Sequence, residues 1–401
     1  MNLMRDHHQL RFALILAAFS ALGPFTIDMY LPAFPEMMKF FGTSASVIQV
    51  SLTACILGLA IGQIVIGALS DVYGRRKPLS ISMILYFLSS FGCAFAPNVT
   101  VFILLRFIQG FAAAGGIVIT RAIVRDKYSG IELAKFFALL MMIGNAAPLL
   151  APLAGSAVLS FTEWVGMFIF LGLLGLLLTS ITTWKLKESL PVAQRVPSNV
   201  VGLLSNFKTL LVNRTFMGYA LAPGIMFAGV FAYISGTPFI YQKIYGVSPQ
   251  TFSILFALNG VSLILGSHLA RRLSGRMPER RFLLFGMSLA MITSTAVLIV
   301  VLAHGPLFTL VIPLFLLVGS IGMISPVFSA LAMDLQGHIA GSAAALLGVF
   351  PLLFGCITSP LVGIAGEYSA LPLGIIIFTT SSIAIITYVV LVFRKKERSV
   401  R

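Results

Sequence analysis

The chain has 401 residues, of which 58% are hydrophobic and only 10% are charged, and its formal net charge is +15. Soluble globular chains carry about 25% charged residues, so this composition excludes an ordinary water-soluble domain and predicts an integral membrane protein. The positive charge alone would suit nucleic-acid binding, but the placement of the basic residues, described below, favours a membrane surface.

Taken in chain order, twelve apolar stretches each approach the ~20 residues that an α-helix needs to cross ~30 Å of hydrocarbon. The stretches do not alternate polar and apolar residues as the strands of a membrane barrel do. The predicted fold class is therefore all-α, with twelve transmembrane helices. The predicted spans are 12–31, 46–69, 79–97, 101–121, 134–158, 164–184, 215–237, 250–270, 281–303, 307–331, 340–362 and 371–393.

A polar stretch divides these spans into two sets of six. We predict an N-terminal bundle over residues 1–184, a cytoplasmic linker over 185–214 and a C-terminal bundle over 215–401. Two similar six-helix halves are typical of transporters. Within the linker, Leu203, Phe207 and Leu210 recur at helical spacing, which predicts an amphipathic helix on the membrane surface.

The basic residues indicate an orientation. If the N-terminus is cytoplasmic and twelve spans alternate, all but three of the 27 Lys and Arg residues fall on the cytoplasmic side, the exceptions being Lys39, Lys243 and Arg106. This asymmetry follows the positive-inside rule and predicts that both termini are cytoplasmic. Basic residues near the anionic leaflet also explain the net charge, so we expect no nucleic-acid partner.

Two charged residues, Asp28 and Arg106, lie inside predicted spans. Counted from the span ends at 1.5 Å per residue, both lie roughly 5–10 Å below the same boundary. The two side chains are therefore expected to face one another or to share a water-filled cavity. Charges at this depth usually line a functional path. Proton or cation handling is one interpretation of Asp28, and a structural ion pair or a water-exposed aspartate is the other.

The loop between the second and third spans reads GALSDVYGRRKPL, residues 67–79. Gly67, Asp71, Gly74, Arg75 and Arg76 match the signature G-x-x-x-D-x-x-G-R-[KR], and the loop resembles that of the major facilitator superfamily. The glycines allow close helix approach and a tight turn, and the arginines can bridge to acids on the same side. The equivalent loop of the second half, GSHLARRLSGRM, has Arg272 where the acid would stand.

Two further stretches resemble motifs of the same superfamily. The fourth span contains LRFIQGFAAAGG, in which Arg106, Gln109 and Gly110 share one helical face; the resemblance implies that Arg106 lies by a central cavity and assists proton transfer. The fifth span contains GNAAPLLAPLAG, a pattern similar to the antiporter motif of exporters, which permits kinks and tight packing. Its members are Gly144, Pro148, Pro152 and Gly155.

Together with TIDMYLPAFP at residues 26–35, these motifs resemble the Bcr/CflA branch, the bicyclomycin and chloramphenicol resistance transporters. The resemblance implies a proton-coupled drug efflux antiporter of the bacterial cell membrane, with Asp28, Arg106, Tyr30 and Gln109 at the proton and substrate cavity. The alternative is a proton-coupled importer of a small metabolite. We expect no enzyme activity, no cofactor and no metal, and we expect a monomer whose partners are lipophilic drugs, protons and the bilayer.

Overall fold

The computed structural model describes residues 2–195, 200–273, 276–334, 336 and 339–393, and within these ranges the chain is helical without strands. Part of the linker (196–199), Gly275 of the second-half loop and the basic residues from Arg394 to Arg401 lie outside the described residues. The predicted charge asymmetry at the C-terminus therefore stays a prediction.

The first half of the chain forms seven helices. A 3₁₀ turn, Leu31–Ala33, separates the first two of them. The helices are α1 (Asn2–Asp28), α2 (Phe34–Phe40), α3 (Ala45–Tyr73), α4 (Arg76–Ala94), α5 (Val99–Lys127), α6 (Gly130–Leu159) and α7 (Trp164–Trp184).

The second half begins with a helix inside the predicted linker, α8 (Val200–Val212). Short π-helical turns, Ile240–Ile244 and Val389–Phe393, follow two of the later helices. The later helices are α9 (Arg214–Phe239), α10 (Pro249–Leu273), α11 (Glu279–Leu302), α12 (Leu307–Asp334), α13 (Ala340–Leu361) and α14 (Leu371–Tyr388).

The Cα positions group into two units. The first comprises Met1–Thr43 and Ala54–Ser198, and the second comprises Ser44–Thr53 and Asn199–Arg401. In the second unit, the Ser46 hydroxyl donates to the Pro360 carbonyl at 2.9 Å. The start of α3 is thus tied to helices of the second unit, which the sequence division at residue 185 did not anticipate.

Eleven helices in the described part are long and apolar enough to cross a membrane. The predicted span 134–158 lies within α6, which has 30 residues and an apolar part at Ala146–Leu159. The prediction of an all-helical chain is confirmed, whereas the count of twelve spans stays a prediction. Several helices extend past the predicted spans, because an α-helix continues into the interface with basic residues while the apolar pattern ends at the hydrocarbon.

The regular helix of the first predicted span ends at Asp28. Helix α1 ends at Asp28, and the chain then turns at Met29 and Tyr30 before it enters the 3₁₀ turn and α2. Pro32 and Pro35 lie in the first turns of the 3₁₀ turn and of α2, where the missing N–H group of proline costs no hydrogen bond and a new helical segment can start. Asp28 is therefore at the end of α1, within the candidate span Phe12–Phe40.

Candidate functional site

The Asp28 carboxyl group is buried in the first unit. The residue is 4% exposed, and Oδ1 has no hydrogen-bond partner among the described residues. A buried polar atom without a partner is rare in native proteins and calls for an explanation such as bound water, an ion or a functional role. Asp28 is also the one carboxylate in the buried class among the side chains that the structure describes.

Arg106 on α5 is fully buried and holds the end of α1. Its Nη2 donates to the Thr26 carbonyl oxygen at 2.7 Å, and its Nη1 donates to Gln109 Oε1. The last carbonyl groups of a helix lack intrahelical donors and carry partial negative charge. A guanidinium group at this end is therefore stabilised both by the hydrogen bond that it donates and by electrostatic attraction. The guanidinium also lies 4.1 Å from the centre of the Tyr30 ring, a cation–π contact.

Hydroxyl groups on α1 and α4 extend this network. The Thr26 hydroxyl lies 2.8 Å from the Tyr86 hydroxyl, and Gln109 Nε2 donates to Ser90 Oγ at 2.7 Å. Tyr86 and Ser90 are one helical turn apart on α4 and are buried. Sequence reasoning missed these two residues; their i, i+4 spacing on the third predicted span was the available signal.

The predicted neighbours Asp28, Arg106, Tyr30 and Gln109 do lie in one region, yet Asp28 and Arg106 form no ion pair within the described residues. The guanidinium is occupied by Thr26 and Gln109 instead. Arg106 Nε, like Asp28 Oδ1, is buried and has no partner in the described structure. One buried donor, Arg106 Nε, and one buried acceptor, Asp28 Oδ1, thus lack a hydrogen-bond partner in the described structure, and Asp28 follows Thr26 of the network by two residues.

Apolar rings cover this network. The Phe168 ring lies 5.7 Å from Tyr30 and 5.6 Å from the Arg106 guanidinium, and Phe102 and Trp164 pack around it. Such a shell lowers the local dielectric, which strengthens every charge interaction inside it. The protonation of Asp28 is therefore expected to change the local electrostatics strongly.

The antiporter-like motif on α6 lies beside Asp28. Gly155 packs so closely on the turn after α1 that an added Cβ atom would overlap the Met29 carbonyl oxygen. At the other end of the motif, Gly144 faces open space. Helix α6 continues through Pro148 and Pro152. The stripe predicted from the sequence therefore makes its closest backbone contact at Gly155.

We expect Gly155→Ala to displace α6 from the Asp28 turn, because the overlapping atom is rigid backbone. Overpacking of this kind costs about 1–3 kcal/mol, and transport should fall sharply. Gly144→Ala is the matched control, since it should change stability by no more than about 1 kcal/mol and leave transport intact. Thermal unfolding in detergent and transport rates check both variants; equal behaviour of the two would contradict the contact.

The signature loop between α3 and α4 forms a charge network. The Arg75 guanidinium is 2% exposed and pairs with Asp71 at 2.5 Å and with Asp126 at 2.8 Å. Arg76 donates instead to the carbonyl oxygens of Thr182 and Thr183. The expectation that this loop's arginines reach acids on the same side thus holds for Arg75 alone.

Glu188, which follows α7, caps the start of α4. Its carboxylate accepts hydrogen bonds from the backbone N–H groups of Arg75 (2.8 Å), Arg76 (3.2 Å) and Leu190 (3.0 Å). Gly74 makes room for it, with φ at +88° and with only 2.6 Å between an added Cβ atom and Glu188 Oε2. Glu188 was not predicted, because it lies more than 100 residues from the loop that it caps.

Burial alone would raise the pKa of the Glu188 carboxyl, but the three N–H groups and the charge of Arg195 outweigh it and hold the pKa below its usual 4.5. Because the folded-state pKa is the lower one, the unfolded chain binds this proton more readily. The stabilisation is therefore present above pH 4.5 and is lost as the pH falls through the folded-state pKa.

We expect Glu188→Gln to lose part of this pH dependence and, since the side chain is partly exposed, to cost about 1 kcal/mol or less at neutral pH. Melting temperatures measured from acidic to neutral pH, with Glu132→Gln as the control, check this. Parallel curves for the wild type and Glu188→Gln would contradict the capping role.

Comparison with known proteins agrees with these features. The chain is 49% identical over 382 residues to an uncharacterized MFS-type transporter, YdgK, of Bacillus subtilis, with 95% of each chain covered. It is 28% identical to a bicyclomycin resistance protein homolog of Haemophilus influenzae (94% of each chain) and 29% identical to a chloramphenicol resistance protein of Pseudomonas aeruginosa (93% of this chain, 88% of that one). The resemblance predicted from the motifs is confirmed.

Among solved structures, a D-xylose–proton symporter superposes with a TM-score of 0.73 at 17% identity, over 93% of this chain and 97% of that one. At this identity the likeness supports the fold alone. The family model described as Major Facilitator Superfamily matches residues 14–360. The chain is therefore a multi-span membrane transporter, not an enzyme, and it belongs to the Major Facilitator Superfamily.

Proposed function

We propose that this transporter exports small lipophilic drug-like compounds across the bacterial cell membrane in exchange for protons. The observation that carries the proposal is the pair of open, buried groups in the α1–α5 network, Asp28 Oδ1 and Arg106 Nε. The proposal further assigns cytoplasmic termini and a monomer.

Asp28 is suited to hold the coupling proton. It is 4% exposed, it lies two residues after the Thr26 carbonyl that Arg106 binds, and its Oδ1 has no hydrogen-bond partner among the described residues. A change in the access of water to this carboxyl group would load or release its proton. Alternation of access between the two ends of the transporter would convert this exchange into transport.

The substrate class follows from the surroundings of the network. Tyr30, Phe168 and Phe102 pack on one another as an aromatic group beside Arg106. Mostly apolar sites with a few polar groups are typical of pockets for small lipophilic molecules. The names of the bicyclomycin and chloramphenicol resistance relatives support drug-like substrates for this chain as well.

Export rather than import is supported by the α6 motif, whose Gly155 contacts the turn directly after Asp28. Any movement of α6 is thereby coupled to the proposed proton site. This coupling suits a transporter in which proton uptake and substrate release are linked.

The test is drug accumulation in cells that lack their own pumps and express this chain. We expect lower accumulation of chloramphenicol or ethidium than in control cells, and we expect a protonophore to abolish the difference. Higher accumulation that a protonophore lowers would indicate the importer instead. A protonophore without effect on reduced accumulation would contradict proton coupling.

A further inference from the structure

Five arginines lie at the junction of α10 and α11, and we call them the second-half arginine cluster: Arg271, Arg272, Arg276, Arg280 and Arg281. All five are exposed, and Glu279 is the one acid among residues 271–281. The side chains of Arg272, Arg276 and Arg281 form no ion pair with a carboxylate in the part of the chain that the structure describes.

The equivalent loop of the first half is different. There Arg75 is buried between the carboxylates of Asp71 and Asp126, and Glu188 caps the following helix. In the second half, Arg272 stands where the signature acid would be, and no side chain caps the start of α11 at Pro278. In the first loop, the charge of Arg75 is balanced by carboxylates of the same chain, whereas the second loop keeps an excess of positive charge.

Exposed apolar residues flank the cluster on both helices. Leu284 and Phe285 on α11 are exposed apolar residues, at 38% and 56%, and the latter follows Arg281 by one helical turn, about 6 Å. On α10, the exposed Leu269 precedes Arg272 by three residues. Exposed apolar side chains thus lie within about one helical turn of the arginines along both helices, the arrangement expected where a membrane helix reaches the lipid headgroups.

A cleft adjoins the cluster within the same unit. It is shallow, and it is lined by Tyr219, Leu283 and Tyr388 together with Glu279 and Arg280. The two tyrosines are buried, and Phe328 packs against both of them. The cleft thus combines apolar and aromatic walls with one acid and one arginine of the cluster.

We propose that the second-half arginine cluster and this cleft bind an anionic phospholipid, with its phosphate on the arginines and the start of its acyl chains against Leu284 and Phe285. One guanidinium group can donate two parallel hydrogen bonds to the oxygens of a phosphate. Basic pockets beside membrane helices bind anionic lipid headgroups. The lipid supplies the negative charge that Asp71, Asp126 and Glu188 supply in the first half. The proposal does not depend on proton coupling or on the drug.

The test measures the melting temperature of the purified full chain in detergent with added phosphatidylglycerol, with phosphatidylcholine of the same acyl chains, or with inorganic phosphate. We expect phosphatidylglycerol alone to raise it. In the triple variant Arg272→Gln, Arg276→Gln, Arg281→Gln, the apparent affinity for phosphatidylglycerol should fall at least about tenfold. The melting temperature in phosphatidylcholine shows whether that variant is folded.

The matched control removes three exposed basic residues from the first unit: Arg125→Gln, Lys185→Gln and Lys187→Gln. This control should keep the response to phosphatidylglycerol. An equal loss in both triple variants would overturn the proposal in favour of unspecific charge. Equal stabilisation by phosphatidylcholine, or full replacement by inorganic phosphate, would also overturn it. If the triple Gln variant is unfolded, the triple variant Arg272→Lys, Arg276→Lys, Arg281→Lys replaces it. Because lysine cannot donate two parallel hydrogen bonds to a phosphate, this variant should lose more affinity for phosphatidylglycerol than the control does.

Discussion

Asp28→Asn is expected to abolish drug export driven by a pH gradient and to leave the fold and drug binding in place. The amide is isosteric with the carboxylic acid, so the neutral form of the site is preserved while the proton can no longer leave. A carrier locked in the neutral state has no means to couple the proton gradient to the drug. Export should fall to the level of membranes without the protein.

Transport into inside-out vesicles under an imposed pH gradient measures this, with drug binding to the purified variant as the test of folding. Glu163→Gln is the matched control, because it removes an exposed carboxylate of the same unit. The control should transport at the wild-type rate. Uphill transport by Asp28→Asn would remove Asp28 from the coupling role.

The second large effect is expected at Arg106. In Arg106→Ala the Thr26 carbonyl loses its donor in a buried place, which alone costs about 1–3 kcal/mol, and the emptied volume under the Tyr30 ring adds to this cost. We therefore expect a much lower melting temperature together with loss of transport. The effect arises because the guanidinium caps α1 two residues before Asp28.

Arg106→Lys separates charge from geometry. A lysine ammonium keeps the positive charge but cannot present the planar fork that reaches Thr26 and Gln109 together. We expect this variant to retain more stability than Arg106→Ala and to transport poorly. Melting temperature and transport rate are measured for both variants; wild-type transport by Arg106→Lys would show that positive charge alone suffices.

The helical architecture was predictable because the bilayer imposes helix length and polarity on each span locally. The similar depth of Asp28 and Arg106 in the membrane, expected from residue counting along the helices, stays a prediction. Their actual relation was not predictable, because it depends on the break of α1 at Asp28 and on a carbonyl group, that of Thr26, which no side-chain pattern reveals. From the sequence alone, two opposite charges at similar depth are expected to pair, because residue counting does not show which other groups the arginine can reach.

The motifs show the same difference: residue spacing is visible in the sequence, whereas contacts between distant parts of the chain are not. The stripe from Gly144 to Gly155 was visible in the sequence, but only the packed structure distinguishes Gly155, which has backbone against it, from Gly144, which has open space. Glu188 was invisible for a related reason. Its partners at Arg75 and Arg76 are brought to it by the packing of α4 on α7, a contact between distant parts of the chain.

The most direct test of the account measures proton release when a drug binds the purified protein in weakly buffered solution. Chloramphenicol or ethidium, whichever the cells export, is the probe. We predict that the wild type releases protons on binding, and that Asp28→Asn binds the same compound without releasing any. Equal proton release by both proteins would contradict the claim that Asp28 carries the coupling proton.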